Sequence, residues 1–269
     1  MPALLYGTAW KKERTAELVE LAVSLGFRGI DTACQPKHYD EAGVGAGVAA
    51  CLGGELTRDA LYLQTKFTSL SGQDPTRVPY PREAPLGTQI QQSCEASLAN
   101  LRTSYLDCLL LHSPLSTLER TLEAWSTFEE LVRRGVVLSL GISNCYSLEQ
   151  LTGLYEGARV KPRVLQNRFY AKTGYDAGLR AYCAAHDIRY QSFWTLTANP
   201  HVLKHRSLRA IAARHGVTPA QTFFRCLIHA GIAPLTGTCT REHMQQDLDV
   251  STFELEGDEV RTILGLLPA

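Results

Sequence analysis

The chain has 269 residues, of which 45% are hydrophobic and 20% charged, and its 27 basic residues balance 27 acidic ones. This composition supports one large hydrophobic core, and the zero net charge argues against nucleic acid or a membrane surface as a partner. No apolar run approaches the roughly 18 residues of a membrane span, and the N-terminal segment lacks the basic leader of a signal peptide. Composition therefore predicts a cytoplasmic globular protein.

The eight cysteines are scattered along the chain, with no C-x-x-C pair among them. Because no secretion signal is predicted, we expect free thiols in a reducing compartment rather than disulfides. The spacing of ligands that a zinc site needs is also absent, so no metal site is predicted.

Short apolar runs alternate with longer amphipathic runs from the beginning of the chain. In the first half, this pattern predicts strands at 4–7, 27–31, 61–66 and 106–111. It also predicts helices at 14–25, 41–51, 88–102 and 118–133, with Thr88 as the cap of the third helix and Gly135 just after the fourth. A long loop at 68–87 carries four prolines.

The second half of the chain continues the same alternation. It predicts strands at 136–141, 163–167, 188–193 and 232–236. The predicted helices are 147–157, 175–186, about 205–215, about 219–230, near 240–247 and near 256–267, and the pair Thr218-Pro219 marks a helix start.

Strict alternation of strands and helices implies parallel strands joined by helical crossovers. Eight such units predict an α/β fold of the (β/α)8 TIM-barrel type, closed and forming a single domain over residues 1–269. The alternative is an open, doubly wound sheet.

In such a barrel, chemistry is found where the strands end. The predicted strand ends carry Thr8, Trp10, Asp31, Lys66, His112, Ser143, Asn144, Gln166, Phe193 and Thr236. A lone lysine or histidine there is more often a structural residue than a catalytic one. The joint appearance of Asp31, Lys66 and His112, with Tyr39 in the loop after Asp31, favours a site.

These four side chains suit the transfer of a proton to an oxygen that is becoming an alkoxide. A phenol has a pKa of about 10, so Tyr39 is a poor acid until a cation such as Lys66 stabilises its phenolate. Asp31 can pair with Lys66, and His112 can orient a carbonyl oxygen. No side chain delivers hydride, so a nicotinamide cofactor is implied.

The strand ends GIDTA, LQTK, LLLHSP, GISN and LQNRF, taken in order, resemble the aldo-keto reductase family across essentially the whole chain. The resemblance implies an NAD(P)H-dependent carbonyl reductase acting on an aldehyde or ketone. By this resemblance, Asp31, Tyr39, Lys66 and His112 are the catalytic tetrad, with Tyr39 as general acid and Asp31 also near the cofactor ribose. Ser143 and Asn144 would bind the nicotinamide carboxamide beside Gln166, Phe193 would stack on the nicotinamide, and Trp10 would line the substrate pocket.

The loop after Asp31 departs from the family pattern. The family tyrosine usually follows the acid by about five residues, whereas Tyr39 follows Asp31 by eight. His38 is the rival for that position. We favour Tyr39, because an imidazole could not play the part of the phenol in the same way.

The segment after the last predicted strand, PLTGTCTREHM, departs as well. The family usually offers a Lys-Ser pair and an arginine to the cofactor phosphate. Here Thr236, Gly237, Thr238 and His243 are the nearest counterparts, with Arg241 as a possible substitute. NADPH is the expected cofactor, and NADH is possible. The long C-terminal tail of the family is also missing, so we expect loop 68–87 to form part of the pocket wall.

Two patterns are set aside. The glycines of Gly43-Val44-Gly45-Ala46-Gly47 lie inside a predicted helix and lack the third glycine of a dinucleotide fingerprint, so we expect them to permit close packing of that helix. His201 and His205 follow no strand and are expected to be solvated.

Two other functions remain open. One is a catalytically weak, cofactor-binding regulatory protein on the same fold. The other is a barrel isomerase or aldolase that uses Lys66 as a Schiff base. The expected partner is a small carbonyl substrate, with neither nucleic acid nor membrane, and the expected state is a monomer or weak homo-oligomer.

Overall fold

The computed structural model describes residues 1–267. In these residues eight parallel strands pair in chain order, and β8 pairs with β1 to close a barrel. The strands are β1 (Leu5–Gly7), β2 (Gly29–Asp31), β3 (Tyr62–Phe67), β4 (Cys108–Leu111), β5 (Leu140–Ser143), β6 (Val164–Arg168), β7 (Arg189–Phe193) and β8 (Ala233–Thr236). The predicted (β/α)8 barrel is confirmed, and the open sheet is excluded.

Eleven α-helices are found in residues 1–267. They are α1 (Thr15–Leu25), α2 (Glu41–Cys51), α3 (Leu86–Leu101), α4 (Leu118–Arg133), α5 (Leu148–Gly157), α6 (Ala177–Ala185), α7 (Pro200–Lys204), α8 (Arg206–His215), α9 (Pro219–His229), α10 (Arg241–Leu248) and α11 (Gly257–Leu264). Short 3₁₀ helices lie at Lys12–Arg14, Arg58–Ala60, Leu70–Gly72, Ala171–Asp176 and Asp249–Ser251. Over the same residues, no helix is both long and apolar enough to cross a membrane.

Short polar side chains begin several of these helices. The hydroxyls of Thr117, Ser147, Thr218 and Thr240 each accept a hydrogen bond from the backbone N–H three residues later. Such caps satisfy backbone donors that the helix itself leaves free. At Thr218 the cap is followed by Pro219, as the sequence predicted.

Successive side chains of a strand point alternately into the barrel and toward the helices. In β6, Val164 packs with Cys108 and Leu110 inside the barrel, whereas Leu165 joins the hydrophobic core beneath the helices. The even-numbered residues of β6 therefore face the barrel axis, which places Gln166 on the inner side.

The fifth strand is displaced from its predicted position at 136–141. It spans Leu140–Ser143, and Val137 makes only an isolated bridge with Leu106. Leu138, predicted inside the strand, is 58% exposed, so the apolar run that suggested the strand only leads up to it. Ser143 is therefore the last residue of the strand.

Two helix predictions also need correction. Helix α3 begins at Leu86 after Pro85, so Thr88 lies within its first turn and is not its cap. Helix α7, with only five residues, was missed because it is too short to show a helical period. It carries His201, which is exposed, as is His205.

The glycines of α2 allow close packing, as the sequence predicted. A methyl group at Gly45 would overlap the carbonyl oxygen of Asn100 and lie 2.8 Å from the Cα of Leu101 in α3. A methyl group at Gly47 would meet the backbone of Ala16 in α1. Because backbone atoms cannot move aside cheaply, α2 can sit this close to both helices only without these side chains.

Substituting Gly45→Ala is expected to lower the free energy of unfolding by about 1–3 kcal/mol, because the added methyl group overpacks the contact between α2 and α3. Urea unfolding followed by circular dichroism measures this change. Gly178→Ala in α6 is the control, since a methyl group there meets nothing within 4 Å. It should be neutral or stabilise the helix by up to about 1 kcal/mol. Equal effects of the two substitutions would contradict the packing argument.

Candidate active site

A buried ion pair occupies the carboxyl ends of β2 and β3. Lys66 Nζ donates to the two carboxylate oxygens of Asp31 at 2.8 and 2.7 Å, and to the carbonyl oxygen of Thr32 at 2.8 Å. The side chains of Lys66 and Asp31 are only 1% and 4% exposed. All three N–H donors of the ammonium are therefore used within this pair and its immediate backbone.

A layer of glutamine side chains supports Asp31 inside the barrel. Asp31 Oδ1 also accepts from Gln64 Nε2 at 2.7 Å and from Gln166 Nε2 at 2.9 Å. Both amides donate in turn to Gln191 Oε1 at 2.8 Å. Gln64 and Gln191 were not predicted from the sequence, although each lies two residues before a predicted site residue and hence on the same face of its strand.

The loop between Asp31 and Tyr39 accommodates its extra residues in a tight turn. The carbonyl oxygen of Gln35 accepts from the backbone N–H groups of both His38 and Tyr39, at 3.0 and 3.1 Å. The turn leaves the centroid of the Tyr39 ring 5.2 Å from Lys66 Nζ. It also places the Tyr39 ring 6.1 Å from the His112 ring, edge to face. The eight-residue interval thus still brings Tyr39 to Lys66 and His112.

Loop 68–87 supports both sides of this cluster. Gln35 Nε2 donates to the Gly72 carbonyl at 2.7 Å, and Gln73 Nε2 donates to the Cys34 carbonyl at 2.9 Å, which ties the loop to the turn before Tyr39. The hydroxyl of Thr68 lies 2.6 Å from His112 Nδ1. The loop therefore fixes the positions of the Tyr39 turn and of the His112 ring.

The electrostatics of Tyr39 differ from the expectation. Burial, reinforced by the Asp31 carboxylate, raises the pKa of the Tyr39 phenol above its ordinary value. Lys66 was expected to lower the pKa of Tyr39. Its charge is instead offset by the Asp31 carboxylate, which accepts hydrogen bonds from the Lys66 ammonium. The raised pKa keeps the Tyr39 phenol protonated at neutral pH, and its hydroxyl forms no hydrogen bond with another of the described residues.

Burial is also the main cause of the pKa shifts of Lys66 and His112. It lowers the pKa of Lys66, against the opposing effect of Asp31. It lowers the pKa of His112 to about 3, with further lowering by the charges of Lys66 and His38. His112 is therefore a neutral imidazole at physiological pH and can donate one hydrogen bond from one nitrogen.

The predicted carboxamide-binding residues lie together at the ends of β5 and β6. Ser143 Oγ donates to the Gln166 carbonyl at 2.7 Å, and Asn144 Nδ2 donates to the His112 carbonyl at 2.9 Å. Asn144 has a left-handed backbone, with φ 52°, which turns the chain sharply after the strand. Phe193 ends β7 and is half-buried at the same edge of the barrel.

The residues after β8 form a separate group at the rim. Thr236 is turned away from the barrel mouth, since its hydroxyl donates to Asp247 of α10 at 2.6 Å. Burial raises the pKa of Asp247 to about 6. His243 is exposed in the first turn of α10, and only Gly237 and Thr238 lie on the loop itself.

Lys11, which was not predicted as a site residue, reaches this rim from the loop after β1. Its Nζ donates to the Gly237 carbonyl and lies 3.2 Å from Cys239 Sγ. Lys11 is only 8% exposed, and none of the described acidic residues pairs with it. A lysine in the loop after β1 gave no sequence signal, because its contact with the β8 loop exists only when the barrel closes.

Trp10 lies on the same side of the mouth as Tyr39. It is 61% exposed, and its ring centroid is 4.0 Å from that of His38. Its backbone N–H donates to the His38 carbonyl at 2.7 Å. His38 is therefore a neighbour of Trp10 and of the site, but it does not replace Tyr39 beside Lys66.

Comparison with known proteins identifies the family. A model of the aldo/keto reductase family matches residues 4–267, so the chain belongs to that family. Members of the family are oxidoreductases that in general reduce carbonyl groups with NADPH or NADH.

Relatives and solved structures cover almost the whole chain. An aldo-keto reductase of Mycolicibacterium paratuberculosis is 31% identical over 267 residues, which are 98% of this chain and 86% of the relative. The methylglyoxal reductase DkgA of Escherichia coli K12 is 29% identical over 269 residues, 99% of this chain and 90% of the relative. MGS-M4, an aldo-keto reductase enzyme from a deep-sea metagenome library of the Medee basin, superposes with a TM-score of 0.84 at 26% identity, covering 99% and 91% of the two chains.

The NMR signals of His112 are expected to stay constant between about pH 7 and pH 5, where an ordinary imidazole with a pKa of about 6.5 takes up a proton. The His112→Gln variant assigns those signals. In this range His112 takes up a proton in the unfolded chain but stays neutral in the folded protein. The free energy of unfolding therefore decreases as the pH falls. His112→Gln should remove that contribution, which is at most about 1.4 kcal/mol per pH unit. A His112 titration near its ordinary pKa would contradict the burial argument.

Proposed function

We propose that the protein reduces an aldehyde or ketone to an alcohol with NADPH, and that Tyr39 donates the proton. The observation that carries this proposal is the grouping of Tyr39 with Lys66 and His112 at the mouth of the barrel, around the buried Asp31. The nicotinamide cofactor, when bound, supplies the hydride that no side chain can provide.

The residues at the ends of β5, β6 and β7 fit a nicotinamide. Gln166 Nε2 is committed to Asp31 and Gln191, and its Oε1 has no partner among the described residues, so this oxygen can accept from a carboxamide N–H. Asn144 and Ser143 lie beside it and would complete the carboxamide site. The half-buried ring of Phe193 offers a face for stacking.

The protonation states support the roles of His112 and Tyr39. Donation from the Thr68 hydroxyl to Nδ1, 2.6 Å away, would place the His112 proton on Nε2, from which it could donate to the substrate carbonyl. The Tyr39 phenol keeps its proton until negative charge develops on that oxygen, and then transfers it. The resulting phenolate would lie beside the Lys66 ammonium, whose position Asp31 fixes.

The alternative functions are less well supported. A Schiff base needs a free amine, but Lys66 is 1% exposed and all three of its N–H donors are engaged. A regulatory protein without turnover was considered because of the long Asp31–Tyr39 interval. The turn closed by Gln35 favours the enzyme over this alternative, since Tyr39 remains beside Lys66.

The proposal extends to the domain, the partner and the compartment of the protein. One barrel domain over residues 1–269 is proposed, in keeping with the family match over 4–267. A small carbonyl compound is the proposed partner, with a monomer or weak homo-oligomer as the proposed state. The eight unpaired thiols support a reducing compartment such as the cytoplasm.

The protein should oxidise NADPH when mixed with a reactive aldehyde, as measured by the loss of nicotinamide absorbance. Tyr39→Phe should lower kcat by about 10²–10⁴-fold, because it removes the proton donor and keeps the ring. Its Kd for NADPH, measured by fluorescence, should remain unchanged.

His38→Gln is the matched control, because His38 precedes Tyr39 and was its rival in the sequence. It should retain most of the kcat. No turnover with NADPH or NADH across several aldehydes would contradict the proposed function. Full activity of Tyr39→Phe would contradict only the assignment of the acid.

The same proposal assigns Lys11 to the cofactor phosphates. The loop after β8 lacks the lysine of the family pattern, and Arg241, the possible substitute for the arginine, is exposed at the first residue of α10. The buried ammonium of Lys11 lies at Gly237 of that loop. A buried cation without a carboxylate partner is stabilised by a bound anion. Lys11 thus supplies a buried positive charge at this loop, in addition to the exposed Arg241 at the start of α10.

Lys11→Met is expected to raise the Kd for NADPH by about 10- to 100-fold, the usual loss for one charge-assisted hydrogen bond. Titration of the protein with NADPH and with NADH distinguishes the two phosphate groups. A loss confined to NADPH assigns Lys11 to the 2′-phosphate, and an equal loss for both assigns it to the diphosphate. Lys12→Met, with the same loss of charge at an exposed neighbour, should bind normally. An unchanged Kd in Lys11→Met would contradict the assignment.

A further inference from the structure

Arg168 is a charged residue at the mouth of the barrel to which the reaction assigns no role. It is the last residue of β6 and lies two residues beyond Gln166, so it faces the barrel interior one level nearer the mouth. In the strand register Arg168 pairs with Phe193 of β7. Arg168 is therefore adjacent to the ring proposed to stack on the nicotinamide.

Aromatic rings surround the Arg168 guanidinium. Its Cζ lies 4.0 Å from the ring centroid of Trp194, 5.4 Å from that of Tyr170 and 5.9 Å from that of Phe193. The backbone N–H of Arg168 donates to the hydroxyl of Tyr146 at 3.1 Å, and this hydroxyl lies 3.3 Å from Asn144 Oδ1. The surrounding rings and the link to Asn144 hold the arginine in a defined place beside the site.

The charge of Arg168 has no counterion. Its side chain forms no ion pair with any carboxylate in the described residues, and its Nε is buried without a hydrogen-bond partner. Cation–π contacts offset part of the cost of burying the charge but satisfy none of the N–H donors. A planar guanidinium with free donors matches the two oxygens of a carboxylate or phosphate group.

The order of the strands indicates whether the cofactor or the substrate would carry the anion that binds Arg168. In the barrel β7 lies between β6 and β8, so Phe193 separates Arg168 from the loop of Gly237 and Thr238. A nicotinamide stacked on Phe193, with its phosphates at the β8 loop beside Lys11, leaves Arg168 on the opposite side of the ring. The position of Arg168 therefore fits the substrate better than the cofactor.

We propose that Arg168 binds an oxyanion of the carbonyl substrate, a carboxylate or a phosphate group, and so selects anionic aldehydes and ketones. This inference rests on the proposed function. The free donors of the guanidinium form a bidentate pair with the oxyanion, while the exposed face of Trp194 covers the adjoining part of the substrate. A neutral substrate would leave these donors unpaired, so it binds less tightly.

The kinetic test compares 4-carboxybenzaldehyde with its neutral methyl ester. The protein should favour the carboxylate in kcat/KM by about 10- to 100-fold, as one bidentate charged contact provides. Arg168→Gln should remove that preference through KM, with kcat and the reduction of the ester nearly unchanged. Arg168→Lys should keep part of the preference, because it retains the charge and loses the bidentate geometry. Arg209→Gln on an exposed helix face controls for the change in net charge.

A binding measurement makes the test independent of turnover. Isothermal titration calorimetry with benzoate, phenyl phosphate and benzyl alcohol should show binding of one or both anions, tighter than that of the alcohol, and loss of that binding in Arg168→Gln. Benzoate and phenyl phosphate distinguish a carboxylate site from a phosphate site. Equal binding of the anions and the alcohol, or weaker NADPH binding in Arg168→Gln with anion binding intact, would overturn the inference. Failure to reduce either aldehyde, with anion binding at Arg168 intact, would instead count against the proposed function.

Discussion

The buried pair of Lys66 and Asp31 is the interaction on which the rest of the site depends. Both charges lie inside the barrel, where an unpaired charge would cost several kcal/mol. Their mutual hydrogen bonds, together with those from Gln64 and Gln166 to Asp31, satisfy the pair. Because it is fully satisfied, the pair forms a rigid centre at the carboxyl end of the barrel, in which the Asp31 carboxylate offsets the charge of Lys66. The other functional groups are arranged around that centre by loops.

Two loops, and not strands, position the Tyr39 side chain. Tyr39 reaches Lys66 through the turn closed by the Gln35 carbonyl, and loop 68–87 holds that turn through Gly72 and Gln73. An insertion in a surface loop costs little free energy when the loop forms its own hydrogen bonds. The long interval between the acid and the tyrosine therefore still leaves the Tyr39 ring 5.2 Å from Lys66 Nζ.

The mouth of the barrel carries positive charge even though the whole chain is neutral. Lys11 and Arg168 are separated by β7 and β8, and neither pairs with a carboxylate among residues 1–267. His112, in contrast, is kept neutral by burial, so it can polarise a carbonyl without adding a charge. Free cations on either side of the neutral His112 suit the proposed reaction, in which a dinucleotide and an anionic substrate meet.

The sequence by itself determined the barrel. Short apolar runs, typical of buried strands, alternate with longer amphipathic runs of helical period, and this alternation folds as parallel strands with helical crossovers. Helices α2 and α4 have the bounds that were predicted, and Asp31, Lys66 and His112 were placed at strand ends by chain order alone. The position predicted for β5 from the sequence was wrong, since Leu138 in that apolar run lies at the surface. Only the tertiary structure decided that Gln64 and Gln191 support Asp31, that the Thr236 hydroxyl turns to Asp247, and that Lys11 and Arg168 face the site. Such contacts join distant parts of the chain. Which of them form depends on the register of the strands in the closed barrel, and no local sequence pattern encodes that register.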